Sequence, residues 1–278
     1  MKKKGICHWL SALLCFCAAA ILLICLTEKK KNNSPELVVL GDSIFTQAQN
    51  LISVNERIQG RSGLTVLSGN FGGTCMARQN VQNSMDFDRD ILSMAVLARA
   101  VVSEDFSAQQ SVRQSEPATY YFEETVDELD RVNFDQVKIL LMAFGVNDYH
   151  CGIPVEDAED PMKETTYAGA LRTAIGLIQN RYPGLRILLV TPTYSWYPEE
   201  GVSCEEFNPG GGILEDYVEK ELEVARECDV EILDLYHDLY THETIEDWEK
   251  YTWDGVHPNE AGMEKIASAI ADYLEENP

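Results

Sequence analysis

Short apolar runs recur along the chain with amphipathic stretches between them, and this alternation constrains the fold more than any other feature. The runs are Leu37–Leu40, Leu64–Leu67, Val137–Phe144, Arg186–Val190 and Val230–Leu233. They show little alternation of polar and apolar residues, as strands covered on both faces do. Helical periodicity occupies about 79–101, 166–181, 213–228 and 259–275. Parallel neighbours need a crossover, usually a helix, so this order predicts an α/β fold with one parallel sheet covered on both faces. A single domain over residues 37–278 accommodates every run. Two segments interrupt the pattern. Residues 102–135 are polar and acidic and are expected to form a loop and a helix over one edge. Residues 194–212 combine aromatics, prolines and a triple glycine, which predicts a long surface loop.

The first 26 residues are a separate object. Gly5 to Leu26 carries no charge except on His8, and 22 helical residues span roughly 33 Å, enough to cross a hydrocarbon core. A signal peptide has a shorter apolar region and a small-x-small cleavage site. Here Ala18, Ala19 and Ala20 lie in mid-run, and neither Cys17 after Phe16 nor Cys25 after Ile24 fits a lipoprotein site. The expectation is an uncleaved signal-anchor over 1–26 and a polar tether over 27–36, with secretion after cleavage as the alternative. The amino terminus with Lys2, Lys3 and Lys4 outweighs Glu28 with Lys29, Lys30 and Lys31, which favours the N-terminus inside. The chain is then a single-pass membrane protein with an extracytoplasmic domain.

Charge narrows the partners. The formal net charge is −24, and residues 1–31 hold six lysines against Glu28, so the remainder carries −24 − 5 = −29. Such a surface repels polyanions and argues against nucleic acid as a partner. Cys7, Cys15, Cys17 and Cys25 sit in the apolar run, leaving Cys75, Cys151, Cys204 and Cys228 in the domain. No CxxC pair occurs among these four, so no zinc site is expected. Their pairing stays open.

Ligands of parallel α/β sheets bind at the carboxyl ends of the strands. The segments found there are Gly41-Asp42-Ser43-Ile44, Gly69-Asn70-Phe71-Gly72-Gly73-Thr74 and Gly145-Val146-Asn147-Asp148, with Asp254-Gly255-Val256-His257-Pro258-Asn259 before the last helix. Each alone reads as a turn or a helix cap. Together they supply what acyl transfer needs. A serine hydroxyl is a weak nucleophile and requires a base oriented by a third group. Asp254 and His257 are three residues apart and share a face of a helix-like turn, so Asp254 can hold one imidazole nitrogen while the other faces Ser43. The Ser43 N–H, a glycine N–H such as that of Gly72, and the Asn147 amide can face a developing oxyanion.

These four segments resemble the SGNH/GDSL hydrolase family, whose blocks carry Ser, Gly, Asn and His; here they are Ser43, Gly72, Asn147 and His257, with Asp254 from the DxxH block. Gly73 is the alternative donor, because Leu67 and Phe71 depart from the family's second block. The resemblance implies a flavodoxin-like three-layer α/β/α sandwich and ester hydrolysis without metal or organic cofactor. By analogy the substrate is a small acyl ester, with acetyl groups on carbohydrate as the leading guess. An O-acyltransferase using the same triad, and a catalytically silent membrane-tethered binding module, are the alternatives. His150 is expected on a surface loop, with a place lining the pocket as the alternative, and His237 and His242 lack metal-ligand spacing. Cys75, beside the glycines, is expected to be buried packing.

Overall fold

The computed structural model describes residues 34–46, 51–79, 90–111 and 123–278. Five parallel strands form the central sheet: β1 (Leu37–Gly41), β2 (Val66–Ser68), β3 (Ile139–Ala143), β4 (Arg186–Val190) and β7 (Glu231–Leu233), in the order β2-β1-β3-β4-β7. Leu37 lies beside Ile139 and Gly41 beside Ala143, so β1 and β3 end together. Strand order reverses between these two, which opens a crevice where both turn into loops.

Alternating side chains explain the wholly apolar runs. Val38, Leu40, Leu140, Met142, Ile187 and Leu189 enter one core, with α2 (Met94–Ser103), α3 (Glu123–Asp130), α5 (Tyr167–Arg181) and α6 (Leu214–Cys228). Leu37, Val39, Ile139, Leu141, Leu188 and Val190 enter the other, against α1 (Val54–Ser62) and α7 (Glu260–Glu276). This is the expected three-layer arrangement. A short helix, α4 (Val146–His150), follows β3.

Three expectations need correction. The second strand begins at Val66 rather than Leu64, because Gly63 ends α1 in the left-handed conformation and the Thr65 carbonyl accepts from both Glu36 and Leu37. The helix expected over 79–101 runs from Met94 to Ser103 among the described residues. Its first N–H groups are claimed by neighbouring backbone, with Met94 donating to the Cys75 carbonyl (3.0 Å) and Ala95 to that of Met76 (3.1 Å). The 194–212 segment is not simply a surface loop: β5 (Trp196–Tyr197) and β6 (Val202–Ser203) make an antiparallel hairpin. Tyr194, Ser195, Trp196 and Cys204 are buried there, because the aromatics pack on one another and on Tyr240. In the 102–135 stretch, α3 does cover the edge as expected. Leu129 sits against Gly69 just after β2, where a side chain on residue 69 would collide with it.

Among the described residues no helix is long and apolar enough to cross a membrane. The expected span within 1–26, and the tether as far as residue 33, lie outside those residues.

Candidate active site

The first strand delivers Ser43 into a turn: the Phe45 N–H donates to the Asp42 carbonyl (3.2 Å) and the Thr46 hydroxyl to the Ser43 carbonyl (2.9 Å). Among the described residues the Ser43 N–H meets no protein acceptor, nor does that of Gly72. Gly72 is buried, and its neighbour Gly73 takes the left-handed φ of 72° that closes the loop.

From the far end of the chain comes the loop before α7. Asp254 Oδ1 accepts the N–H groups of Val256 (3.0 Å) and His257 (2.8 Å), a tight turn built by the carboxylate itself. Its other oxygen, Oδ2, lies 2.7 Å from His257 Nδ1. His257 Nε2 in turn lies 3.0 Å from Ser43 Oγ. The structure thus brings Ser43, His257 and Asp254 into one hydrogen-bonded line. Only glycine fits at 255, where φ is 93° and a Cβ would overlap the Trp196 carbonyl oxygen. The Trp196 N–H donates back to the Gly255 carbonyl (2.8 Å), so the β5–β6 hairpin braces the histidine loop.

Electrostatics follow from this geometry. Partial burial works against ionisation of Asp254, but the His257 side chain and the two backbone donors outweigh it and hold the carboxyl well below the usual range. The hydrogen bond that His257 donates to Asp254 raises its imidazole; burial opposes, and the Asp254 and Asp42 charges add to the rise. Asp42 is 2% exposed. Burial pushes its carboxyl up to about 7, against the Ile44 N–H, the His257 charge and the Asn147 amide, which favour the anion.

Asn147 follows Gly145, whose φ of 128° and contact with Pro192 leave no room for a side chain. Its Nδ2 donates to the Thr74 carbonyl (3.1 Å) and to Asp42 Oδ2 (3.3 Å). The bond to Asp42 is long, that to Thr74 ordinary, and the amide nitrogen is engaged rather than directed at open space. The neighbouring Asp148, fully buried, accepts from the Met76 (2.8 Å) and Ala77 (2.9 Å) N–H groups with its two oxygens. Burial drives this carboxyl up to about 8 despite those two donors. Adjacent side chains on α4 therefore grip segment 74–77 and set the position of the glycine loop.

The anchoring roles of Asp42, Asp148 and Gly255 were missed in the sequence, although all three lie inside the segments it singles out. His150, expected on a surface loop, instead ends α4, and its Nε2 lies 2.8 Å from the Tyr197 hydroxyl. Although His150 is exposed, desolvation by the groups crowded around its ring and the His257 charge lower its imidazole, while Asp254 acts the other way, so His150 shares the electrostatic surroundings of the line. Trp253 donates its N–H to the His257 carbonyl (2.8 Å), and the flanking Thr252 bridges antiparallel to Pro258. Trp253 itself is 60% exposed on the loop that carries His257.

The chain holds a second Asp-x-x-His, and the fold separates the two. Asp234 Oδ2 lies 2.7 Å from His237 Nδ1, but His237 Nε2 faces Glu215 and Glu219 at 3.8 Å and no serine. Among the described residues no group of three or more His, Cys, Asp or Glu could hold a metal ion.

Known proteins bear on this arrangement. Residues 39–265 match the family model of the GDSL-like lipase/acylhydrolase family. A GDSL esterase/lipase of Arabidopsis thaliana is 26% identical over 120 residues, 40% of this chain and 47% of that protein, so the chain spans about half the length of this curated relative. Among solved structures, a Lactobacillus plantarum protein is 20% identical with a TM-score of 0.61, over 89% of this chain and 100% of that one. Est24, a carbohydrate acetylesterase from Sinorhizobium meliloti, is 14% identical with a TM-score of 0.51, over 87% and 99%. The salicylyl-acyltransferase SsfX3 from a tetracycline biosynthetic pathway is 16% identical with a TM-score of 0.51, over 89% and 56%. At these identities the structural likenesses establish the fold, and the family model covers most of the domain: the chain belongs to the GDSL-like lipase/acylhydrolase family.

Proposed function

We propose that this protein is a serine ester hydrolase in which Ser43 is the nucleophile, His257 the general base and Asp254 the group that orients it. The observation that carries this reading is the unbroken line from Ser43 Oγ through His257, at 3.0 and 2.7 Å, to an Asp254 carboxylate held anionic. Ser43 Oγ attacks the ester carbonyl carbon while His257 Nε2 takes its proton. Asp254 supports the imidazolium that forms and keeps Nδ1 protonated. The Ser43 and Gly72 N–H groups, which meet no acceptor among the described residues, can donate to the oxyanion. Asn147 joins them once its long bond to Asp42 yields one N–H. Collapse expels the alcohol, protonated by His257, and leaves an acyl group on Ser43. Water then attacks with the same base.

The substrate proposed is a short acyl ester, acetyl foremost, of a carbohydrate hydroxyl. Trp253, exposed on the loop that carries His257, offers an apolar face, and the His150–Tyr197 pair offers polar partners. The 194–212 segment packs its aromatics inward, which leaves it poorly suited to be an apolar lid over a lipid. The anionic surface also favours a neutral substrate. Residues 5–26 are proposed as the anchor, with the domain outside the cytoplasm. Protease added to intact, wall-stripped cells should then remove the domain, whereas protection until lysis contradicts that topology.

The test of function is hydrolysis by the full-length protein in detergent. Acetyl, butyryl and octanoyl p-nitrophenyl esters and an acetylated xylo-oligosaccharide should be compared. The expected result is kcat/KM falling at least tenfold from acetyl to octanoyl, with acetate released from the sugar. A preference for octanoyl, or acyl transfer to sugar outrunning hydrolysis, contradicts the reading.

A further inference from the structure

Beside the oxyanion loop lies a cysteine pair that the reaction does not use. Cys75, 2% exposed, directly follows the Gly72-Gly73-Thr74 loop, and Cys151, exposed, caps the end of α4. Neither takes part in a disulfide, and the buried Cys75 thiol is perturbed chiefly by the Cys151 thiol beside it. The Gln79 amide nitrogen lies 3.7 Å from the Cys75 sulfur and 3.6 Å from that of Cys151, so one side chain touches both. The remaining domain cysteines are placed differently. Cys204 is bonded to the Ser195 N–H and faces the Tyr236 hydroxyl, and Cys228 ends α6.

We propose that Cys75 and Cys151 are the site of a reversible disulfide that staples the oxyanion loop to α4. The two segments it joins are already held in register: Asn147 binds the Thr74 carbonyl, and Asp148 binds the Met76 and Ala77 N–H groups. The new bond therefore adds a covalent link between parts that need not move. The oxidant is a small-molecule or protein disulfide. Cys151 is the accessible thiol; its thiolate attacks one sulfur of glutathione disulfide and expels one glutathione thiolate, leaving a mixed disulfide. The Cys75 thiolate then attacks Cys151 Sγ and expels the second. Two protein thiols lose two protons and two electrons, and one glutathione disulfide becomes two glutathione thiols. The Cys151 thiol, burial and the Asp148 charge all push the Cys75 thiol up, whereas the Gln79 donor supports its thiolate, so the second step is the slow one.

A bond between residues 75 and 151 closes a long loop and restricts the unfolded chain accordingly. The test is to treat the full-length protein with glutathione disulfide, block remaining thiols with N-ethylmaleimide and map disulfide-linked peptides by mass spectrometry. The expected product is a crosslinked pair containing Cys75 and Cys151, two hydrogens lighter than the thiols. Its Tm should rise by roughly 5–15 °C. Dithiothreitol should reverse the rise, and the exposed Cys151→Ser variant should not show it. Acetyl ester hydrolysis should change by less than about twofold, since the staple joins segments already in contact. The proposal is overturned by persistent glutathione on Cys151 without the internal bond, by Cys75 pairing elsewhere, or by a Cys75–Cys151 bond that lowers Tm. Peptide mapping reads the bond whether or not the protein hydrolyses esters, so failure here and failure of the hydrolase reading are distinguishable.

Discussion

Replacing Asp254 by Asn leaves the shape of the site nearly unchanged and reverses one hydrogen bond. In the wild type Oδ1 accepts two backbone N–H groups, so in the variant the amide oxygen takes that place and the NH₂ group cannot. The NH₂ is then directed at His257 Nδ1, 2.7 Å away, and Nδ1 must accept. The imidazole proton moves to Nε2, the atom facing Ser43 Oγ, and the base is lost in its working tautomer. A loss of that kind amounts to about 10³–10⁴-fold in kcat, or roughly 4–5.5 kcal/mol of transition-state stabilisation. A second consequence concerns pH. His257 is raised above its ordinary value chiefly by Asp254, so the wild-type acid limb of kcat/KM lies above pH 6.5. The neutral base is present above that limb and lost below it. Without the carboxylate the imidazole titrates lower, so the limb of the variant moves toward acid. The deficit is therefore smallest in acid and full above the wild-type limb. The assay is kcat/KM for p-nitrophenyl acetate from pH 5 to 9 on both proteins, with circular dichroism as the control for folding. A loss of less than tenfold, or a limb that stays where it was, refutes the reasoning.

Two further substitutions probe the supports of the line. Gly255→Ala forces a Cβ into the Trp196 carbonyl at a left-handed position, a cost of about 3 kcal/mol and on the order of 10 °C in Tm, read by thermal unfolding; an unchanged Tm contradicts the packing described. Asn147→Ala should lower kcat by about 10²–10³-fold with KM nearly unchanged, because an oxyanion donor acts on charge that develops after binding. A rise in KM with normal kcat would instead make Asn147 a ground-state binding residue.

Much of the fold was legible because the sheet is buried on both sides. Val38 and Leu40 face one core and Leu37 and Val39 the other, so the whole run is apolar and easily seen. The strand ends were less legible, since the start of β2 depends on hydrogen bonds between Thr65 and residues of β1's approach. The hairpin around Trp196 is not legible locally, because its burial depends on Gly255 and Tyr240, far along the chain. Spacing alone does not choose between Asp234–His237 and Asp254–His257, which form the same local turn. Only the fold brings one of these histidines to a serine. Nor does local pattern reveal that Asp148 is a clamp, because its partners lie on the glycine loop.

The central claim is that Ser43 is a nucleophile activated by His257. A p-nitrophenyl alkylphosphonate measures this directly, since an activated serine displaces p-nitrophenolate and keeps the phosphonyl group. The account predicts release of about one equivalent of p-nitrophenolate per protein. The mass of the added group should map to the peptide carrying Ser43. Labelling should be absent in Ser43→Ala and slowed by at least about 10²-fold in His257→Ala. Stoichiometric labelling of another residue, or unchanged labelling in Ser43→Ala, would contradict it.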